Sequence, residues 1–140
     1  MGNQTSIPKI NFEDIQTIYN SNNYILINTM TMDLQHCLIP NTKNITEEEH
    51  IINECLNTNK LINIIIYGKN CNDNTIYTKY EQLYKLGFIN VYIYPGGMFE
   101  WLTLQDIYGS DNFPTKKKEL DLLKYKPRSE FNQLYILPPS

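Results

Sequence analysis

Residues 61–67 (LINIIIY) limit the fold more than any other feature, because this run is almost continuously apolar and rich in β-branched side chains. Such a run is typical of a strand that is covered on both faces, as in a central parallel sheet. The chain has 140 residues, which is enough for one domain with a substantial core. With 41% hydrophobic and 19% charged residues, its composition excludes a disordered acidic or basic protein.

Helical apolar spacing alternates with short apolar strands along the chain, which predicts an α/β fold with a mostly parallel sheet flanked by helices. Two helices are expected to begin at pairs of capping residues, namely Asn11 with Asp14 and Thr46 with Glu49. Gly87 is the expected stop of a third. The predicted strands are residues 24–28, 61–67 and 90–94, and the later predicted helices are residues 75–86, 98–108 and, within the tail, 117–124.

The loop between the central strand and the following helix, residues 68–74 (GKNCNDN), is the candidate site. Ligands of open α/β sheets bind beyond the carboxyl ends of strands, and a helix N-terminus there favours an anion or a thiolate. Cys71 is the candidate nucleophile, because a helix N-terminus can lower the pKa of a thiol. The remaining residues of the predicted anion-binding loop are Gly68, Lys69, Asn70, Asn72, Asp73 and Asn74.

Three stretches resemble the rhodanese-like (sulfurtransferase) domain family. Residues 24–30 stand where the family has a strand ending in Asp-Val-Arg, and residues 37–45 resemble its Gly-His-Ile-Pro-Gly-Ala-x-Asn-Ile motif. The third stretch contains Gly-Phe-x-Asn-Val and Gly-Gly-x-x-x-Trp, at Gly87, Phe88, Asn90, Val91, Gly96, Gly97 and Trp101. The resemblance implies a rhodanese-like domain over residues 10–113, between an N-terminal arm (residues 1–9) and a basic C-terminal extension (residues 114–140).

The residues that perform the chemistry of that family are mostly replaced. Gly68 stands where the family has its catalytic cysteine, and Cys71 follows three residues later. The family's Asp, Arg and His positions hold Asn28, Met30 and Leu38. A related Cys-x5-Arg phosphatase is excluded, because the position that needs a guanidinium is Tyr77 and the chain's only arginine is Arg128.

Two functions remain open at this point. The first is a catalytically degenerate binding or scaffold module, a pseudoenzyme that contacts an unidentified protein partner. The second is a thiosulfate-type sulfurtransferase in which Cys71 carries a persulfide. The replacement of the usual cysteine by Gly68, together with the missing Asp and Arg, favours the first.

No metal, cofactor or disulfide is expected. The chain has three cysteines without a CxxC pair, and His36 and His50 have no partner at metal-ligand spacing. Cys37 and Cys55 are interpreted as small core residues. Free thiols and the absence of an apolar leader at the N-terminus favour a cytoplasmic protein.

Charge is unevenly distributed along the sequence. Residues 1–115 contain six basic and twelve acidic side chains, whereas residues 116–140 contain six basic and three acidic ones. The body is therefore not expected to bind nucleic acid, although the basic segment 116–128 could contact an anionic partner. A solvated tail is the simpler interpretation of this segment.

The tail also contains apolar side chains, which could form a partner surface or pack against the sheet edge. They are Phe131, Leu134, Tyr135, Ile136 and Leu137.

The first six residues (MGNQTS) match the N-myristoylation pattern, with Gly2 as the acceptor. One acyl chain gives only reversible membrane binding, so the basic segment would have to supply a second signal. The corresponding hypothesis is a peripheral membrane protein facing the cytosol. The compositional bias, with no alanine, 18 Asn and 19 Ile, also permits a virion-associated protein of a large DNA virus.

Overall fold

A four-stranded parallel sheet forms the centre of the protein. The computed structural model describes residues 6–131. The strands are β1 (Tyr24–Asn28), β2 (Thr42–Lys43), β3 (Asn63–Tyr67) and β4 (Val91–Tyr94), in the order β2-β1-β3-β4. Every pairing is parallel, which confirms the predicted sheet. Strand β2 was not predicted, because two residues are too few to show a periodic pattern.

Helices lie on both faces of this sheet: α1 (Phe12–Ile18), α2 (Ile45–Thr58), α3 (Thr75–Leu86) and α4 (Gly97–Tyr108). The predicted capping pair of Asn11 with Asp14 is confirmed. Gly87 ends α3 with a φ of 108°, as expected of a left-handed helix stop.

Two local predictions are wrong. The second helix is capped by Asn44 with Glu47, not by Thr46 with Glu49, because the Asn44 side chain already accepts the Thr46 amide. In the tail, only Leu122–Tyr125 is helical, as a short 3₁₀ turn, and residues 117–121 are not. The backbone near Lys116 and Lys117 bonds to the domain, which competes with helix formation.

Strand β3 is covered on both sides, which explains its continuous apolar sequence. Ile65 and Tyr67 belong to one buried cluster, together with Trp101 of α4. Ile64 and Ile66 belong to a second cluster on the other face. From Ile64 onward the strand therefore has no polar face, and the predicted burial is confirmed for Ile64–Tyr67. The predicted start at Leu61 is wrong, because β3 begins at Asn63 and Leu61 is exposed.

The start of the C-terminal extension packs against the domain. Trp101 donates a hydrogen bond from Nε1 to the carbonyl of Pro114 (2.8 Å), and the Lys116 amide donates to the carbonyl of Leu38 (2.9 Å). Tyr125 is fully buried. The extension is thus attached to the core at least as far as Tyr125, and it is not a solvated tail up to that point.

Parts of two predictions lie outside the described residues: the lipidation site at Gly2 and the apolar tail segment 134–137. Within residues 6–131, no helix is long and apolar enough to cross a bilayer.

Candidate functional site

The loop of residues 68–74 lies at the carboxyl end of β3 and leads into α3. The first turn of α4 holds it in place: the Met98 amide donates to the carbonyl of Gly68 (3.0 Å), and the Phe99 amide donates to that of Lys69 (2.9 Å). Gly97 permits this close approach. Its φ is +67°, and a Cβ atom there would lie 2.8 Å from the Gly68 carbonyl oxygen. The family-like Gly-Gly pair therefore positions the loop.

A carboxylate from within the loop occupies its centre. Oδ2 of Asp73 accepts the Lys69 amide (3.0 Å), and Oδ1 accepts both the Thr75 amide (3.0 Å) and the Thr75 hydroxyl (2.5 Å). A negative charge at the start of α3 also suits the helix dipole. Asp73 thus occupies two of the amides in the loop that the sequence predicted to bind an anion.

In its observed position, the same carboxylate leaves no room for a Cβ atom at position 68. A Cβ atom on Gly68 would lie 2.5 Å from Oδ2 of Asp73 and 2.8 Å from the hydroxyl of Thr29. Both distances are far below van der Waals contact. A cysteine at the family's usual position is therefore incompatible with the observed place of the Asp73 side chain.

Cys71 lies on the exposed outer part of the loop. Its Sγ contacts Oδ1 of Asn72 at 3.8 Å. The Lys69 and Thr75 amides of the loop are directed at Asp73 and not at Cys71. The surroundings of Cys71 are those of a surface thiol.

Asn70 connects the loop to the C-terminal extension. Its buried side chain donates from Nδ2 to the carbonyl of Tyr125 (2.9 Å), and its Oδ1 accepts the Asn72 amide (2.9 Å). Sequence reasoning had included Asn70 only as part of an anion-binding loop. Its link to Tyr125 was missed, since the two residues are 55 positions apart.

The extension also brings positive charge to the loop. A groove of about 580 Å³, called the basic groove below, opens beside it. The lining residues are Thr29, Met30, Thr31, Lys69, Asn70, Asn72, Asp73, Thr75, Leu123, Lys124, Lys126 and Arg128. Of the predicted loop residues, Lys69, Asn70, Asn72 and Asp73 therefore line it, whereas Gly68, Cys71 and Asn74 do not.

A second groove, of about 480 Å³, adjoins the first and is called the polar groove below. It lies between α2 and α3 and shares Thr29, Met30 and Thr75 with the basic groove. Its other lining residues are Asn28, Ile45, Glu48, Glu49, Thr78, Lys79 and Gln82. Together the two grooves cross the carboxyl edge of the sheet.

Asn28, at the family's Asp position, forms buried hydrogen bonds with Met30 and Gln35. Its Oδ1 accepts the Met30 amide (3.0 Å) and Nε2 of Gln35 (2.8 Å), and its Nδ2 donates to Oε1 of Gln35 (3.1 Å). The same Gln35 oxygen accepts the Ile45 amide. This buried amide pair joins β1 to the start of α2, and no sequence signal pointed to Gln35.

Cys37, Cys55 and His36 lie outside the loop, and each contacts other parts of the protein. Burial raises the pKa of the Cys37 thiol, which donates to the carbonyl of Lys117 (3.0 Å). Burial also raises the pKa of Cys55, which packs against the second apolar cluster. His36 pairs with Glu119, with 2.7 Å between Nε2 and Oε1. Across residues 6–131, no three His, Cys, Asp or Glu side chains form a group that could hold a metal ion.

A family comparison agrees with this architecture. The sequence model of the rhodanese-like domain matches residues 11–104. The chain belongs to the rhodanese-like domain family. Its match ends before the extension, so the basic groove combines the rhodanese-like loop with cations from outside the matched region.

Two solved structures from Saccharomyces cerevisiae share the rhodanese-like fold of this chain. The single-domain sulfurtransferase RDL2 is 16% identical, with a TM-score of 0.53, and the match covers 81% of this chain and all of RDL2. An uncharacterized yeast protein is 19% identical, with a TM-score of 0.52, over 71% of this chain and 93% of its own. No curated protein gives a significant sequence match.

Proposed function

We propose that this rhodanese-like chain is a binding module whose loop does not transfer sulfur. The observation that supports this most strongly is the Asp73 carboxylate, whose Oδ2 lies 2.5 Å from the point where a Cβ atom at position 68 would stand. It accepts the Lys69 and Thr75 amides, which would otherwise be available to an anion. Two of the loop's amide donors are thus bound internally, without a thiol.

Electrostatics support the same proposal. A persulfide and a sulfur-donating oxyanion are both negative, and their chemistry is favoured by preorganised donors. Here those donors already bind a carboxylate, which would repel a second negative group placed beside it. The substitution of Gly68 for cysteine and the presence of Asp73 are therefore mutually consistent features of a non-catalytic loop.

The alternative is sulfur transfer at Cys71, which its exposure favours. In that reaction, the Cys71 thiolate would attack the outer sulfur of thiosulfate, and the S–S bond would break with sulfite leaving as the electron-pair acceptor. Cyanide would then take the outer sulfur of the persulfide, releasing thiocyanate and restoring the thiolate. The contact that the structure gives for the Cys71 thiol, with Oδ1 of Asn72, is with an acceptor and does not favour this chemistry.

A thiosulfate-to-cyanide transfer assay separates the two functions. The wild-type protein and Cys71→Ser would be compared, with Cys55→Ser in α2 as a matched control. We expect no protein-dependent thiocyanate from any of the three, with folding verified by circular dichroism. Turnover that is present in wild type and Cys55→Ser but lost in Cys71→Ser would support the alternative instead.

We also propose that the N-terminus is myristoylated at Gly2 and holds the protein reversibly at a cytosol-facing membrane. The support is the sequence pattern of residues 1–6. Flotation with lipid vesicles after expression with an N-myristoyltransferase tests it, comparing wild type with Gly2→Ala. We expect only the wild type to float, and equal partition of both proteins would contradict the proposal.

A further inference from the structure

We propose that the edge of the sheet at which the strands begin docks on a lipid membrane, beside the point where the N-terminal segment enters the domain. The docking residues are Lys60, Leu61, Lys85, Leu86 and Ile89, called the amino-edge surface below. The inference rests on the proposed membrane anchor at Gly2 and deepens it, because it names the surface that supplies the second binding signal which a single acyl chain needs.

The amino-edge surface is formed by two loops that contact each other. Helices α2 and α3 end at this edge, and a loop leads from each of them to the start of a strand. Asn90 donates a hydrogen bond from Nδ2 to the carbonyl of Leu61 (2.8 Å), and the Lys60 side chain lies against Gly87. The exposed side chains of the two loops therefore form one continuous surface.

Three large apolar side chains of this surface face solvent. Leu61 is 64% exposed, Leu86 47% and Ile89 65%. Because they lie on adjoining loops, they form a patch and are not scattered single contacts with water. Exposed apolar patches of this kind mark sites that bind a protein or a membrane.

The charge of the two loops favours a membrane with anionic lipids. Residues 57–61 and 84–90 contain Lys60 and Lys85 and no acidic residue, in a protein with a net charge of −3. Among residues 6–131, neither of these lysines forms an ion pair. A lysine beside an apolar patch can bury its methylene groups in the membrane interface while its ammonium group contacts a lipid phosphate.

The nearest carboxylates along the chain lie behind this surface. Glu54 and Glu81 precede the ends of α2 and α3 by at least a helical turn, or about 5 Å along the helix axis. Asp111 follows α4, which packs on the opposite face of the sheet. These carboxylates are therefore set back from the edge that would face the lipid.

The N-terminal segment enters the domain at this same edge. It runs parallel to β4, since the Ile93 amide donates to the carbonyl of Pro8 (3.0 Å) and Lys9 bridges to Ile93. Ile7 packs against the cluster that contains Val91, the first residue of β4. The described chain therefore begins beside the loop that holds Ile89.

The length of chain before that point limits where an acyl group can be. Gly2 precedes Ser6 by four residues, which span at most about 14 Å when fully extended. A myristoyl group on Gly2 would therefore be attached close to the amino-edge surface. The basic segment 116–128, which the sequence suggested as the second signal, is placed differently, because Lys124 and Lys126 line the basic groove at the carboxyl end of the sheet.

Vesicle binding by the full-length protein tests the inference. Each protein is prepared with and without an N-myristoyltransferase, its acylation is verified by intact mass, and its partition into vesicles of phosphatidylcholine and phosphatidylserine is measured by sedimentation. The test variant is Leu61→Glu/Ile89→Glu. The matched control is Leu120→Glu/Leu123→Glu in the extension, where the two leucines are 87% and 64% exposed. Sedimentation equilibrium without lipid gives the oligomeric state of each protein.

We expect Leu61→Glu/Ile89→Glu to lower the partition coefficient at least about tenfold within each acylation state, because burial of even one such side chain in an apolar phase has an effect of that size. The control variant should bind as the wild type does. Equal binding of test variant and wild type, equal loss in test and control variants, or no vesicle binding by the wild type in either form would overturn the inference.

Two further outcomes separate this inference from its alternatives. A wild-type dimer that Leu61→Glu/Ile89→Glu dissociates would assign the surface to a second copy of the chain and would also overturn the inference. Equal partition of wild type and Gly2→Ala after co-expression with the transferase would contradict the proposed anchor alone, since the surface is judged by comparing variants within one acylation state.

Discussion

Oδ2 of Asp73 lies 2.5 Å from the point where a Cβ atom on Gly68 would stand, so that each residue restricts what the other can be. With Asp73 bound to the loop amides as observed, a Cβ atom at position 68 would clash with its carboxylate. Conversely, a side chain at 68 would displace the carboxylate and leave the Lys69 and Thr75 amides without their acceptor. Loss of the family's cysteine and gain of the internal carboxylate are thus physically linked.

This link predicts that the effects of Gly68→Ala and Asp73→Ala on the free energy of unfolding are not additive. Gly68→Ala should cost about 1–3 kcal/mol through overpacking. Asp73→Ala should cost a similar ~1–3 kcal/mol, because it removes the acceptor of two amides. In the double variant the steric conflict with Asp73 is absent, so the total loss should be smaller than the sum by ~0.5–3 kcal/mol. Urea unfolding of the four proteins measures the coupling, and strict additivity would contradict it.

Removal of the hydroxyl group should change the free energy of unfolding differently at two buried tyrosines. The Tyr67 hydroxyl accepts the Ile39 amide (3.1 Å) and shares a hydrogen bond with Thr42 (2.7 Å), so Tyr67→Phe should destabilise the protein by ~1–3 kcal/mol. The Tyr125 hydroxyl is buried and has no hydrogen-bond partner among residues 6–131. Tyr125→Phe should therefore be neutral or stabilising by up to ~1 kcal/mol.

The comparison of these two variants by chemical denaturation has its own control, since both substitutions remove one oxygen from a buried ring. Equal destabilisation by both would show that the Tyr125 hydroxyl has a partner after all.

Acid should weaken the attachment of the extension. The hydrogen bond from His36, together with the Asp121 amide and Lys124, lowers the pKa of Glu119 to about 2 from its ordinary value of 4.5. A carboxyl with a lowered pKa stabilises the folded state above its unfolded pKa, and this contribution is lost as the pH falls from 4.5 toward 2. Glu119→Gln should therefore flatten the dependence of unfolding free energy on pH in that range. Glu81→Gln, on the exposed surface of α3, is the matched control and should not flatten it.

The three thiols should differ in reactivity. Cys71 is exposed, whereas burial raises the pKa values of Cys37 and Cys55 and lowers their thiolate fractions at neutral pH. Mass spectrometry after brief alkylation of the native protein should find the first label on Cys71, and Cys71→Ser should abolish the fast phase. First labelling of Cys37 would contradict the packing of the extension over that residue.

Most of the fold could be predicted from the sequence, because the patterns that indicate strands and helix ends are local. The β-branched run of β3, the Asn11 cap and the Gly87 stop each depend on neighbouring residues, and each is confirmed. The shift of the α2 cap to Asn44 shows the limit of such patterns, since Asn44 and Thr46 are both good capping residues two positions apart.

The site was less predictable because it depends on contacts between distant residues. The sequence indicated the loop and its unusual Gly68, but it could not show that the Asp73 side chain turns back to position 68. The contact of Asn70 with Tyr125 and the resulting placement of Lys126 beside the loop likewise depend on how the extension packs. Such packing leaves no periodic pattern in the sequence.

The central claim is that the loop does not carry sulfur, and intact mass spectrometry after thiosulfate treatment tests it most directly. The wild-type protein would be compared with Gly68→Cys/Asp73→Gly, which restores a thiol at the family's position and removes the carboxylate. The account predicts that the wild-type mass stays unchanged. A wild-type gain equal to one sulfur atom that is abolished by Cys71→Ser would contradict it.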